Sequence, residues 1–466
     1  MLFNSFNYLL FFPVVCVIYY LIPNKFRWVF LLLASYFFYM NWEPIYAILI
    51  FLSTFITYLC AFKLDKVKDI KVRKVLLIAS IILNFGILFL FKYYNFLTDS
   101  LFNFLNYFNI RVRFPEFKLL LPVGISFYTF QAVGYSIDVY YNKLKHENNF
   151  GKYALFVSFF PQLVAGPIER ATNLLPQFSK EIVFNYAKAI EGTKLIIWGY
   201  FMKVVVADRL SIYVDSVYNN INMHNSPTLI IATIFFAFQI YCDFGGYSNI
   251  AIGCAKILGF DLMTNFCRPY FAKNCPDFWH RWHISLSTWF KDYVYIPLGG
   301  NRVSKKQKYL NLIITFLVSG LWHGANWTFV IWGGLNGIFQ VVYSIFKPFR
   351  IKLSNRFTNL IQIISTFILI DFTWIFFRAN NSADAIKVIQ NIFTKHGPLF
   401  FGDNKVFIYG FIGLIILIIK DIYDECSFTL TFENNKIIKY TWYATLTILI
   451  LMIGVFDGGQ FIYFQF

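Results

Sequence analysis

Residues 309–337 read YLNLIITFLVSGLWHGANWTFVIWGGLNG, two apolar runs joined by the polar sequence SGLWHGAN. Neither run alternates apolar and polar residues as a half-buried strand would, so each is typical of a helix. His323 stands at the junction, where a side chain that can carry a proton near neutral pH lies between apolar segments. The pattern indicates a functional histidine inside a membrane protein.

The composition of the whole chain also indicates a membrane protein. Of 466 residues, 58% are hydrophobic, 22% aromatic and only 14% charged, whereas soluble proteins carry roughly 25% charged residues. The apolar runs recur along the whole length and are continuous, which favours helices over a β-barrel. We therefore predict an all-α polytopic membrane protein with a single domain, residues 1–466, containing roughly a dozen transmembrane and re-entrant helices.

The net charge of +17 would be compatible with nucleic-acid binding, but its distribution argues against that class. The basic residues cluster in short loops between apolar segments, as in residues 63–74, which hold six basic and two acidic residues. Such loops are typical of the cytoplasmic side of a membrane protein. We therefore expect no nucleic-acid partner. The seven cysteines are scattered without a CxxC pair, so neither a disulfide framework nor a zinc ribbon is predicted.

Apolar segments outside the opening stretch give further helix predictions. Residues 96–115 are aromatic and are interpreted as interfacial, and residues 384–395 as a short amphipathic surface helix. The predicted membrane helices lie at about 8–22, 27–40, 45–62, 75–91, 118–141, 150–168, 189–206, 227–257, 358–377, 403–420 and 439–456.

The two runs around His323 have a predicted geometry. From Tyr309 to His323 is 14 residue steps, or roughly 21 Å of helix, against a hydrocarbon core about 30 Å thick. The first run should therefore turn back or tilt before it completes a crossing, and Gly320 and Gly324 would permit a turn. Basic clusters on both sides predict that the outer ends are cytoplasmic. These residues are Arg302, Lys305, Lys306 and Lys308 before the runs, and Lys347 and Arg350 after them.

His323 has two interpretations from its residue type and position. It could act as a general base that takes a proton from a hydroxyl as the oxygen attacks an acyl carbonyl. It could instead be a structural histidine, hydrogen-bonded to a neighbouring helix.

The stretch before the two runs, residues 268–302, reads RPYFAKNCPDFWHRWHISLSTWFKDYVYIPLGGNR. His280 and His283 are three residues apart, a spacing that can chelate a metal, although no further ligands are evident. Asp277, Arg281 and the nearby tryptophans could instead grip a ligand at a funnel. The tryptophans could equally be interfacial belt residues. These alternatives stay open at the level of sequence.

A second polar sequence interrupts the apolar segment at 227–257. It contains Gln239 and Asp243 within QIYCDFGGYS. A carboxylate is expensive in lipid, so Asp243 should face a partner or a water-filled cavity.

The sequences DFWHRWHISLSTWFKDYVYIPLGGNR and LVSGLWHGANWTFVIWGGLNG together resemble the signature of the membrane-bound O-acyltransferase family. The similarity extends to LPVGISFYTFQAVGYSIDVYY (121–141), FFPQLVAGPIER (159–170), QIYCDFGGYSNIAIG (239–253), WIFFRA (374–379) and the final FIYFQF. It is greatest for the bacterial branch that acts in alginate and peptidoglycan O-acetylation and in D-alanyl transfer to teichoic acid.

The resemblance implies a ring of tilted helices around a central tunnel, with a catalytic core at about 118–345. An acyl group would pass through the tunnel from a cytoplasmic donor to an extracytoplasmic hydroxyl. The family's catalytic histidine, in its WHG-type motif, corresponds to His323, and its second histidine, in the RWH motif, to His283. Candidate tunnel-lining residues are Asn274, Asp277, Trp279, Arg281, Trp282, Ser285, Trp322, Asn326, Gln239 and Asp243.

The function implied is acetyl transfer for O-acetylation of an exported polysaccharide, either peptidoglycan or an alginate-like polymer. Acetyl-CoA would be the donor, with no bound cofactor or metal. We expect an extracytoplasmic esterase-like partner of the SGNH type, contacts with membrane lipids, and a place in the bacterial inner membrane. The alternatives are D-alanyl transfer to teichoic acid through a carrier protein, or a non-enzymatic transporter, a class that often shows inverted repeats.

Overall fold

The computed structural model describes residues 1–110, 112, 114–117, 120–164, 166–347, 355–426, 435–456 and 462. Within these ranges all regular secondary structure is helical, which confirms the predicted all-α class. Seven of the described helices are long and apolar enough to cross a membrane, so the chain is a multi-pass membrane protein. Arg350, and all of the closing FIYFQF except Ile462, lie outside the described residues.

The helices follow one another through short connections. The earlier ones are α1 (Phe6–Leu21), α2 (Asn24–Met40), α3 (Tyr46–Lys66), α4 (Ile70–Leu88), α5 (Tyr94–Tyr107), α6 (Ile125–Tyr140), α7 (Phe150–Ser158), α8 (Phe160–Leu163), α9 (Ala171–Leu174) and α10 (Tyr186–Tyr200). The later ones are α11 (Asp208–Tyr218), α12 (Ser226–Ile257), α13 (Cys275–Arg281), α14 (Ile284–Phe290), α15 (Lys305–His323), α16 (Trp327–Phe346), α17 (Arg356–Arg378), α18 (Ser382–Thr394), α19 (Asn404–Glu425) and α20 (Lys436–Ile453).

The chain divides into two compact units. The first consists of Met1–Leu2, Phe6–Ala189 and Cys254–Met263. The second consists of Phe3–Ser5, Ile190–Gly253 and Thr264–Phe466.

Helix α6 is the centre of the first unit. Fourteen of its residues are buried, and it packs against α3 and α4. A helix that is buried on every side must satisfy its polar side chains internally. Gln131 does so by donating a hydrogen bond of 2.6 Å to the carbonyl oxygen of Phe156 in α7.

Several predicted segments have different bounds in the structure. The stretch 96–115 is helical in its first half, because α4 continues through a π-helical turn, Phe89–Tyr93, into α5, and its interfacial position stays a prediction. The same device, the π-helix Phe201–Ala207, extends the segment predicted at 189–206 into α11. A π-turn absorbs one extra residue without ending a helix. An apolar count cannot detect this.

Two other segments are shorter than predicted. Helix α6 begins only at Ile125, because Gly124 before it takes a left-handed conformation with φ of 74°. The segment predicted at 150–168 breaks at Phe159 into α7 and the short α8. Pro161 lies in the first turn of α8, where its missing N–H costs nothing. The amphipathic helix predicted at 384–395 is confirmed as α18, which buries Ala385 and Val388.

In the second unit, α15 and α16 form an antiparallel hairpin. The predicted turn is present: α15 ends at His323, Gly324 is extended, and α16 begins at Trp327. At the open end of the hairpin, the ammonium of Lys308 donates to the Ser344 hydroxyl at 3.0 Å. The first arm starts at Lys305, four residues earlier than assumed, and has a length of about 28 Å.

Glycines allow the two arms to approach closely. A Cβ added at Gly320 would overlap the carbonyl oxygen of Phe329, and one added at Gly333 would overlap the carbonyl oxygen of Phe316. Gly320 therefore serves helix packing and remains helical, whereas the turn begins after His323. Small residues at such contacts are typical of helix pairs in membranes.

The hairpin contact gives a stability prediction. Gly333→Ala should lower the unfolding temperature of the purified protein, since the new methyl group must push the arms apart at a cost of about 1–3 kcal/mol. The matched control is Gly334→Ala, whose added Cβ would meet only Leu317 Cδ2 at 3.5 Å. Thermal unfolding in one detergent compares the two variants. An equal effect of both would contradict the proposed role of the contact.

Candidate functional site

His323 lies at the end of α15, buried among aromatic rings. The Trp322 and Trp332 rings lie with their centroids 4.9 Å from the imidazole, and Phe377 of α17 lies at 5.3 Å. All three contacts are edge-on. The side chain is only 2% exposed, so reactions at this imidazole would take place out of bulk water.

The residues after His323 fix the turn. Asn326 caps α16: its side-chain oxygen accepts from the backbone N–H of Thr328 at 3.0 Å, and its side-chain NH₂ donates to the carbonyl of Asn380 at 3.0 Å. Asparagine is among the preferred N-cap residues because its side chain satisfies a helix-end N–H group. The structure therefore gives Asn326, one of the candidate tunnel residues, a helix-capping contact.

His283 lies between α13 and α14 in a left-handed conformation, φ 42°, and is buried. Its Nδ1 accepts a hydrogen bond from the backbone N–H of Leu286 at 3.3 Å, so in the neutral ring the proton belongs on Nε2. His283 is outside the seven candidate membrane spans. Burial lowers the pKa of its imidazole to about 3, so the ring is neutral at pH 7.

Trp322 connects the two histidines. Its ring centroid is 5.9 Å from that of His283 and 4.9 Å from that of His323. Phe244 of α12 contacts the His283 ring at 4.5 Å. His283, Trp322 and His323 are called the histidine cluster below. The sequence motifs separate these residues by about 40 positions, and the fold brings them together.

Asn265 holds the backbone on which His283 is carried. Its carbonyl accepts from the N–H of Ile284 at 2.9 Å, and its side-chain oxygen accepts from the Ser285 hydroxyl at 2.9 Å. Its NH₂ group donates to the hydroxyl of Ser248 on α12 at 3.1 Å. Ser285, a candidate tunnel residue, is fully buried in this network. Sequence analysis missed Asn265, which stands in a loop with no local signal.

A charged network fixes the start of the same segment. The Glu425 carboxylate at the end of α19 accepts from Arg268 at 2.7 Å and from Arg281 at 2.9 Å. Arg281 also pairs with Asp277 at 2.9 Å. Although burial opposes ionisation, the hydrogen bonds from Arg281 to Glu425 and Asp277 raise its pKa, so it stays a cation. Asn274 caps α13 by accepting from the Asp277 N–H.

Three of the predicted tunnel residues, Asn274, Asp277 and Arg281, thus take part in capping and ion pairing. Sequence analysis missed Glu425, which no local pattern connects to Arg268 or Arg281. It is the shared anion of the network.

Trp279 and Trp282 face different surroundings. Trp282 is fully buried against Phe278 and Trp374, with ring centroids at 5.5 and 5.1 Å. Trp279 lines a mostly apolar cavity of about 240 Å³, and its ring lies 5.7 Å from that of Trp332. Trp332 in turn contacts His323. One wall of the cavity is therefore in contact with His323 through the rings of Trp279 and Trp332.

His280 lines the cavity and His283 does not. Because α13 ends at Arg281, the two histidines do not share one helical face. Within the described residues, no group of three or more His, Cys, Asp or Glu side chains is arranged to hold a metal ion. The structure therefore offers no support for the metal alternative.

Asp243 and Gln239 are both buried on α12. Asp243 was predicted to face a partner or a water-filled cavity, and its partner is Lys203. The ammonium of Lys203 lies 2.6 Å from the carboxylate of Asp243 and 2.7 Å from that of Asp208. The backbone N–H of Ile462 donates to the second oxygen of Asp243 at 2.7 Å. Lys203, inside the apolar sequence FMKVVVA, could have been found from the sequence, because a lone charge in such a run needs a partner.

Fold and cluster together define a multi-pass, all-helical membrane protein with two buried histidines in one aromatic environment. A model described as the membrane-bound O-acyltransferase family matches residues 139–379. A probable alginate O-acetylase of Pseudomonas aeruginosa is 37% identical over 397 residues, covering 84% of this chain and 75% of the relative. The peptidoglycan O-acetyltransferase of Helicobacter pylori is 36% identical over 395 residues, covering 79% and 74%. The chain belongs to the membrane-bound O-acyltransferase family.

A more distant relative is the teichoic acid D-alanyltransferase of Bacillus subtilis, 27% identical over 276 residues, which cover 56% of this chain and 70% of the relative. Membership of the family confirms the predicted enzyme class, acyltransferase, over the transporter alternative.

The charged network gives a second prediction. Glu425→Gln should lower the free energy of unfolding by about 1–3 kcal/mol, because two guanidinium groups lose their shared charged acceptor. Asp424→Asn is the matched control, since the ion pair that Asp424 makes within the described residues is with Lys420, one turn away on α19. Thermal unfolding of both purified variants measures the difference. A control as unstable as Glu425→Gln would contradict the role given to the network.

Proposed function

We propose that this protein moves an acetyl group from a cytoplasmic donor, acetyl-CoA, across the bacterial cytoplasmic membrane for O-acetylation of an exported polysaccharide. Peptidoglycan and an alginate-like polymer are the two acceptor classes, taken from the names of the relatives. His323 is the proposed catalytic base, and His283 the residue that positions or assists it.

The observation that carries the acetyl assignment is the extent of similarity to O-acetylases. The Pseudomonas relative matches 84% of the chain at 37% identity, whereas the D-alanyltransferase of Bacillus matches 56% at 27%. D-alanyl transfer remains the second candidate because the same family motifs serve it.

The surroundings of His323 support a base. A neutral imidazole can accept a proton, and the aromatic rings around His323 exclude water that would compete for the acyl group. In the proposed step, His323 takes the proton of the acceptor hydroxyl while its oxygen bonds to the acetyl carbonyl carbon. The carbon–sulfur bond of the thioester breaks, and the leaving thiolate receives the proton from the imidazolium. The products are an ester and a free thiol.

His283 supports this chemistry through its position. Its Nδ1 accepts from the Leu286 N–H, so the neutral ring carries its proton on Nε2. A neutral donor near the reacting carbonyl would stabilise negative charge as it develops on oxygen. The contact of Trp322 with both histidine rings keeps the two groups in a fixed relation.

The choice of polymer is assigned to a partner. Within the described residues the connections between helices are short, and none has the size of a carbohydrate-binding domain. We therefore propose an extracytoplasmic transferase of the SGNH esterase type, which would receive the acetyl group and select the acceptor.

The test is the ester content of surface polymers in cells that carry the wild type or His323→Ala at equal membrane abundance. Mild alkali releases the acyl groups, and chromatography separates acetate from D-alanine. We expect acetate to fall at least about 100-fold, the lower range for loss of a general base. The control is His396→Ala, since His396 is an exposed histidine outside the histidine cluster. Loss of D-alanine instead would establish the second candidate, and unchanged acetate and D-alanine would contradict the role of His323.

A further inference from the structure

A second, polar cavity lies in the first unit and takes no part in the proposed acyl transfer. Its volume is about 570 Å³, and its lining includes Lys180, Lys188 and Lys256 together with Glu181 and Asp261. The wall is fixed by reciprocal hydrogen bonds, in which the Gln177 side chain donates to the Asp261 carbonyl at 2.9 Å and accepts from the Asp261 N–H at 2.8 Å. The cavity is thus a formed site rather than a gap between mobile side chains.

Its position is at a membrane boundary. Lys256 lies in the last turn of α12, a candidate membrane span, and Tyr20 lies in the last turn of the apolar α1. Both helices therefore deliver their carboxyl ends to the cavity. Basic residues follow or close both helices, which places this end on the cytoplasmic side by the positive-inside rule.

The charge of the site is positive. Three lysines face two carboxylates, and Lys188 pairs with Asp261 at 2.7 Å. Arg27 lines an adjoining cavity that shares Lys180 and Ile182 with this one. The guanidinium of Arg27 donates to the carbonyls of Ile22, Tyr20 and Ile182, so within the described residues no carboxylate neutralises it. Lys180 and Arg27 thus offer positive charge that suits a phosphate-bearing ligand.

One rim of the cavity is apolar. Val183 lines the cavity and is 81% exposed, and Phe184, the next residue, is 52% exposed. The Phe184 ring contacts that of Tyr20 edge-on at 5.2 Å, so the rim continues into the end of α1. Aromatic and aliphatic side chains beside lysines, at the end of a membrane span, match the chemistry of the lipid interface.

We propose that this cavity binds the headgroup of an anionic phospholipid of the cytoplasmic leaflet, with the phosphate held by Lys180 and the acyl chains lying along the rim at Val183 and Phe184. Basic pockets beside membrane helices on the cytoplasmic side bind such headgroups. A soluble phosphate compound such as coenzyme A could also bind the lysines through its phosphates, but it lacks the long acyl chains that would pack on the exposed apolar rim. The phospholipid is therefore the favoured occupant.

The experiment uses the purified full chain in detergent, with binding measured by native mass spectrometry against phosphatidylglycerol and phosphatidylcholine. The wild type should favour phosphatidylglycerol at least about fivefold, the effect of one basic side chain near an anionic headgroup. Lys180→Gln should remove this preference and Lys180→Glu should reverse it. The control is Lys71→Gln, which changes an exposed lysine in the first turn of α4, at another predicted cytoplasmic helix end, and should keep the preference.

Each remaining outcome has one meaning. Equal binding of the two lipids by the wild type, or an unchanged preference in both Lys180 variants, would overturn the proposal. Addition of coenzyme A should leave bound phosphatidylglycerol in place. If coenzyme A displaces the lipid from the wild type, the site belongs to a soluble phosphate ligand and the lipid assignment is wrong. Neither result depends on the identity of the catalytic base.

Discussion

The close approach of α15 and α16 is the constraint on which the histidine cluster depends. Backbone meets backbone where Gly320 and Gly333 face each other, with no room for a Cβ on either side. This approach sets the Trp332 ring 4.9 Å from His323, and Trp332 stacks in turn on Trp374 of α17. A wider hairpin would separate the imidazole from the ring that shields it. The glycines therefore set the positions of the rings around His323 through the packing of the hairpin.

Buried and half-buried charges hold segments in position. Lys203 with Asp208 and Asp243, and Glu425 with Arg268 and Arg281, are paired groups within the second unit. Desolvation makes such pairs weak sources of stability, but removing one member leaves an uncompensated charge, so they hold the participating elements in one arrangement. The first group connects the π-helix after α10 to α12, and the second connects α19 to the segment that leads to His283. His283 itself has a left-handed backbone conformation. The residues on either side of it are fixed by backbone hydrogen bonds, from the Trp282 N–H to the Phe278 carbonyl and from the Ile284 N–H to the Asn265 carbonyl.

The local pattern was enough to predict part of this account. Continuous apolar runs predicted most helices, because a helix that faces lipid needs apolar side chains along its length. The polar break at SGLWHGAN predicted the hairpin turn, because helices end at such polar and glycine-containing sequences. The family motifs pointed to His323 and His283, and the structure shows that Trp322 contacts both rings. The remainder depended on distance in the chain. Glu425 is 144 residues from Arg281, and no short-range pattern connects them. The π-turns in α4–α5 and α10–α11 are also invisible to a count of apolar residues. Asn274 and Asn326 were predicted to line the tunnel, and the structure shows both as helix N-caps. An asparagine before a helix is compatible with either role, so the sequence alone does not distinguish them.

The central claim is that His323 acts chemically at the hairpin turn and does not merely support it. The most direct measurement is transfer of radiolabelled acetyl from acetyl-CoA in membrane vesicles, comparing the wild type with His323→Gln, which keeps a polar side chain of similar size. The account predicts a loss of at least about 100-fold in rate with an unchanged unfolding temperature. A variant that keeps its rate within about twofold, or loses rate only in proportion to lost folded protein, would contradict it.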